Sequence, residues 1–151
     1  MKNLLNSAVA EVQLRYVNPV PDSQRQLINK SQTAFDLLKL IWEDDVDHCE
    51  SFYLLLLNRA NKVLGSKLIS KGGCSGTVVD PKIIFQTALL ANATGLILAH
   101  NHPSGNTKPS ESDIRITGKI VEGGKILEIS VLDHLIITSE SFFSFSDEGM
   151  I

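Results

Sequence analysis

The six residues Phe52-Tyr53-Leu54-Leu55-Leu56-Leu57 are apolar without a break, the pattern of a strand buried on both faces. Asn58 to Lys62 reads as a turn and Val63 to Ser70 is apolar again, so the two runs form a hairpin. Between such strands lie stretches of helical period. From Ser31 to Trp42 the apolar residues Ala34, Leu37, Leu38 and Ile41 recur at helical spacing, with Ser31 as the N-cap. Glu43, Asp44, Asp45 and Asp47 follow; acids are unfavourable at the C-terminal end of a helix dipole, which stops this helix by about Trp42. Asp80-Pro81 opens a second helix, with Ile84, Thr87, Ala88 and Ala91 on one face, running to about Ala93. Ser110 opens a third, Glu111 to Glu122, closed by Gly123-Gly124. Further strands are expected at Val9–Val17, Leu96–Ala99, Leu127–Val131, Leu135–Thr138 and the Phe142–Phe145 tail. Strands alternating with helices predict a layered α/β fold.

With 151 residues, 43% of them in the set AVILMFWYC, a single domain buries roughly two-thirds of its unfolded surface and needs neither a disulfide nor a metal to fold. A metal here would serve chemistry. Fourteen Lys and Arg against seventeen Asp and Glu leave a net charge of −3, with no basic stripe, which argues against nucleic acid as a partner. Cys49 and Cys74 form no C-x-x-C pair and read as thiols in a reducing compartment. The apolar stretch around Leu4-Leu5 is interrupted by Asn3, Asn6 and Ser7, too short for a signal peptide. No run approaches the roughly 18 apolar residues of a membrane span, so the expected location is the cytoplasm.

The chemistry concentrates where the Leu96–Ala99 strand ends, at His100-Asn101-His102-Pro103. Residues two apart on a strand share a face, so both imidazoles can aim at one point. Zinc takes imidazole and carboxylate, and catalytic sites use three protein ligands. Asp113, in the first turn of the next helix, is the third candidate, carried back by the Pro103–Pro109 loop. The same Ser110-x-x-Asp113 has the spacing of a capping box, and alone it would be read as one.

Taken together, His100-Asn101-His102, seven residues, Ser110-x-x-Asp113 resembles the motif of the JAMM metalloproteases of the JAB/MPN fold. The longer stretch His100–Asn106, with Val78-Val79-Asp80-Pro81, Leu132–Ile137 and Ser144-Phe145, is similar to bacterial RadC-type proteins, once called DNA-repair proteins, over about Cys49 to the end. The resemblance implies a layered mixed β-sheet flanked by helices, the JAB/MPN (cytidine-deaminase-like) fold. Residues 1–45 would add a strand and helix to a catalytic domain over 46–151, in one compact unit. It implies one catalytic Zn2+ on His100, His102 and Asp113, and hydrolysis of a peptide or isopeptide bond in a peptide or protein substrate. It also implies a glutamate base at the start of a strand: Glu50 occupies that place, whereas the competing Glu43 ends a helix. Ser110 would donate to the oxyanion. RadC-type proteins often carry a helix-hairpin-helix region as well; with about 45 residues before Glu50 and no glycine before Gly65, the chain reads as a short form.

Other residues attract attention and lead elsewhere. His134 beside Asp133 reads as a structural histidine, and His48 and Cys49, adjacent on a strand, face opposite ways and make no dyad. Asn101 points away from its two neighbours by the same rule. A zinc deaminase needs a Pro-Cys-x-x-Cys segment, which is absent. Two other function classes stand beside the hydrolase: an idle interaction module and a DNA-repair accessory protein.

Overall fold

In a computed structural model, which describes residues 9–73 and 77–151, the apolar runs become the centre of one five-stranded sheet. Its strands are β1 (Ser51–Leu57), β2 (Val63–Lys71), β3 (Gly95–Asn101), β4 (Ser130–Ile137) and β5 (Phe142–Ser144), in the order β2-β1-β3-β4-β5. β1 runs antiparallel to β2 and β3, β3 parallel to β4, and β5 antiparallel to β4. Every residue of β1 and β3 is buried, as expected of central strands covered on both faces.

Side-chain alternation divides the core between those faces. Phe52, Leu54, Leu56, Leu96 and Leu98 pack with Ile84 and Ala88 of α2 (Pro81–Leu90) and Ile120 of α3 (Glu111–Leu127). Tyr53, Leu55, Leu57, Ile97 and Ala99 pack on the other face with Ala34, Phe35 and Leu38 of α1 (Ser31–Ile41). The fold is therefore a mixed sheet with helices on both sides, an α/β layering consistent with the JAB/MPN architecture. No helix among the described residues is long and apolar enough to cross a membrane.

Several sequence expectations need correction. Val9–Val17 is not a strand: Val9, Val12 and Leu14 are 74%, 82% and 83% exposed, so the alternation buries no face. The segment is tied down instead by Tyr16 and Asn18, whose side chains donate to the Leu64 carbonyl. Ser31 is the first residue of α1 rather than its cap, which is Lys30. α2 keeps its expected Asp80 cap, with Pro81 in the first turn, but ends at Leu90.

Gly123-Gly124 does not close α3. The helix runs through both glycines and ends at Glu128, which takes the left-handed conformation at φ 56°. The glycines serve close packing: a Cβ on Gly124 would lie 2.3 Å from the Ile129 carbonyl oxygen, and one on Gly123 2.7 Å from the Phe85 ring. The strands expected at Leu127–Val131 and Leu135–Thr138 are replaced by the single strand β4, which starts only at Ser130 because Leu127 still belongs to α3, and in which the polar pair Asp133-His134 is buried. Asp133 stays in the sheet because its carboxylate accepts from the His134 and Ser146 amides and the Ser144 hydroxyl. Burial still raises its pKa, with those hydrogen bonds opposing. The readings made for residues 1–8 and for Cys74 in the 72–76 loop fall outside the described residues.

Candidate metal centre

His100 is the penultimate residue of β3 and His102 follows the strand's end, where α3 begins beside them. The two Nε2 atoms are 3.0 Å apart. Asp113 directs Oδ1 to within 3.2 Å of His100 Nε2 and Oδ2 to within 3.4 Å of His102 Nε2. A tetrahedral ion with bonds of about 2.0–2.1 Å sets its ligands roughly 3.3–3.4 Å apart. The three groups form a cluster that could hold a metal ion, one ligand atom from each lying within 4.8 Å of the others.

The capping-box reading of Ser110 and Asp113 holds at the same time. Ser110 Oγ accepts from the Asp113 amide at 3.1 Å, and Asp113 Oδ2 accepts from the Ser110 amide at 2.7 Å. Capping fixes the carboxylate's orientation, since an aspartate bound to its own helix end cannot swing away. Burial disfavours the Asp113 anion, but hydrogen bonds to His100, His102 and the Ser110 amide outweigh it and hold the pKa far below the usual carboxylate range. On the sheet side, Asn101 faces away as expected, donating to the Val46 and Cys49 carbonyls and accepting from the Ser51 amide.

Glu50 immediately precedes β1, two residues before Phe52, which pairs with His100. It therefore shares the His100 face and lines a cavity of about 250 Å³ with His100, Asp113, Phe52, Val79 and Ile116. Burial raises its pKa, against the opposing pull of the two histidines. Glu43 lies elsewhere: its amide meets the Tyr53 hydroxyl, and it lines a separate pocket with Tyr53 and Leu68. Tyr53 belongs to the α1 face of the sheet.

One residue set aside in the sequence lies directly against the cluster. His134 is wholly buried, with Nε2 2.8 Å from His100 Nδ1 and Nδ1 2.6 Å from Thr117 Oγ1. Nothing local marks it, because the contact arises from the parallel pairing that sets Leu98 beside His134 and Ala99 beside Leu135. Cys49 is half-buried and unpaired.

A family model described as "RadC-like JAB domain" matches residues 28–150. The chain belongs to this family. The match begins ahead of Cys49 and so takes in α1. Among relatives, a UPF0758 protein of Flavobacterium johnsoniae is 47% identical over 123 residues, 82% of this chain and 53% of the relative. UPF0758 proteins of Methanosarcina acetivorans and Methanococcoides burtonii are 42% and 40% identical, covering 68% and 81% of this chain and 44% and 54% of theirs. The chain thus spans about half the length of the relatives it matches. Their names assign no activity, although the JAB superfamily includes metalloproteases.

The cluster's electrostatics predict how metal binding depends on pH. The Asp113 hydrogen bond raises the His102 pKa above 6.5, burial opposes it, and the Asn106 carbonyl reinforces the rise. In the metal-free protein this stabilises below pH 6.5 and is lost as pH rises through the raised value. A metal needs the bare nitrogen, so affinity should fall about tenfold per pH unit below that value. Competition with a chromophoric chelator at pH 8, 7 and 6 measures this; a flat profile would count against His102 as a ligand.

Proposed function

We propose that this RadC-like JAB domain is a zinc-dependent hydrolase of peptide or isopeptide bonds, working in the cytoplasm. The observation that carries the reading is the convergence of His100 Nε2, His102 Nε2 and the Asp113 carboxylate beside Glu50 in one cavity. Two imidazoles and one carboxylate suit zinc better than the hard oxygen-seeking cations calcium and magnesium. Three protein ligands leave the fourth position for water, the hallmark of a catalytic rather than a structural site.

Bound zinc supplies Lewis acidity that brings the pKa of water from about 15.7 toward about 7. Glu50 takes the proton from the attacking water and returns it to the leaving amine. Its raised pKa suits both tasks, since a weakly basic carboxylate accepts a proton poorly. Ser110 spends one oxygen lone pair on the helix cap and keeps its hydroxyl hydrogen, which donates to the oxyanion; such donors are worth about 3–4 kcal/mol where measured. Phe52, Val79 and Ile116 give the adjoining cavity an apolar wall for the chain flanking the scissile bond.

Nothing favours the DNA-accessory reading: the net charge is −3. The idle-module reading requires a degraded ligand set, whereas His100, His102 and Asp113 form a group that could hold an ion. The test is to incubate zinc-loaded protein with a mixed peptide pool and read new termini by mass spectrometry. Cleavage that stops with a chelator and returns with zinc is expected; cleavage indifferent to the chelator would overturn the zinc mechanism.

A further inference from the structure

A buried chain of hydrogen bonds runs behind His100, and the contact at its far end selects one of its two possible proton arrangements. It begins at the backbone carbonyl of Asp113, 2.6 Å from Thr117 Oγ1. A carbonyl cannot donate and two oxygens this close need a hydrogen between them, so the single Thr117 hydroxyl hydrogen is spent there. Thr117 Oγ1 also lies 2.6 Å from His134 Nδ1, and with its hydrogen committed it can only accept. His134 therefore carries its hydrogen on Nδ1. The other end of the chain gives the same answer: a His100 that offers the Nε2 lone pair to a metal holds its hydrogen on Nδ1. The partner of that hydrogen is His134 Nε2 at 2.8 Å, which must be bare to receive it.

We infer that Thr117 and His134 are positioning residues that hold a hydrogen on His100 Nδ1, so that Nε2, which faces Asp113, is the nitrogen left to meet a metal. The rings are also held mechanically. His134 stacks on Phe145, with centroids 4.9 Å apart and planes at 16°, and His100 lies nearly parallel to Phe52 at 7°. His134 is wholly buried and flanked by these rings. His102 reaches the same end by a shorter route, its Nδ1 donating to the Asn106 carbonyl at 2.7 Å. Because Thr117 is bonded to the carbonyl of Asp113 itself, the chain links two of the three ligands through one hydroxyl.

What the lone pair serves rests on the zinc-site reading above; the tautomer does not. Two-bond 1H–15N spectra of the metal-free protein at pH 8 read it directly. Expected for His134 is a protonated Nδ1 and a bare Nε2, and finding the hydrogen on Nε2 overturns the inference whatever the metal does. Thr117→Val removes the acceptor at nearly constant volume; it should abolish the single tautomer and weaken zinc binding about 10- to 100-fold, the usual cost of losing such a partner. Thr117→Ser keeps the hydroxyl and should restore both. Should Thr117→Ser lose as much as Thr117→Val, or Thr117→Val bind zinc within twofold of the parent, packing rather than proton placement is the role of Thr117. A parent that binds no zinc would sink the hydrolase reading and leave the His134 spectrum to decide this one.

Discussion

Glu50→Gln is expected to slow peptide hydrolysis by at least about 100- to 10,000-fold, the range of a lost general base, while zinc stays bound. The amide is nearly isosteric but cannot take a proton from water. Glu50 lies outside the cluster that could hold the metal, so affinity should change little. The matched control is Glu43→Gln, on the opposite face of the sheet, which should hydrolyse like the parent. Since burial raises the Glu50 pKa, the acid limb of the rate profile should lie above the ordinary carboxylate range and vanish in the variant. Equal rates for parent and Glu50→Gln would remove Glu50 from the mechanism.

Asp113→Asn should separate the two tasks of one side chain. Asparagine still offers an oxygen to the Ser110 amide now bonded at 2.7 Å, so the start of α3 stays capped. The charged ligand is lost, however, and metal affinity should fall by more than the about 10- to 100-fold typical of an outer partner. Asp113→Ala removes both the charge and the return half of the capping box, so it should unfold at lower urea than Asp113→Asn. Urea unfolding of the metal-free variants reads the cap and a metal titration reads the ligand. If Asp113→Asn bound metal as well as the parent, Asp113 would be a cap and nothing more.

The candidate metal cluster was legible because its parts sit close in sequence: strand period aims His100 and His102 together, and one short loop returns Asp113. Its cap was legible as well, and the two readings of Ser110-x-x-Asp113 prove compatible because Oδ2 accepts from the Ser110 amide while the carboxylate still faces both imidazoles. The central strands were legible from unbroken apolar runs, since continuous burial leaves no alternation to misread. Where context decides, sequence reading failed. Val9–Val17 has strand period but buries no face, and Gly123-Gly124 looks like a helix stop but marks where α3 presses on Phe85 and the Ile129 backbone. Asp133-His134 looks like a break in a strand because its partners, Ser144, Ser146, Thr117 and His100, come from other elements. Glu50 stands between these cases. The base role proposed for it rests on the family resemblance, while its place on the His100 face follows from β1–β3 pairing.

The most direct test of the metal centre is zinc stoichiometry and affinity, measured by calorimetric titration of chelator-stripped protein beside His102→Ala. One zinc per chain, bound tightly by the parent and lost or greatly weakened in the variant, is the expected result. A parent that takes up no zinc, or a His102→Ala variant that binds it equally well, would contradict the assignment of His100, His102 and Asp113 as its ligands.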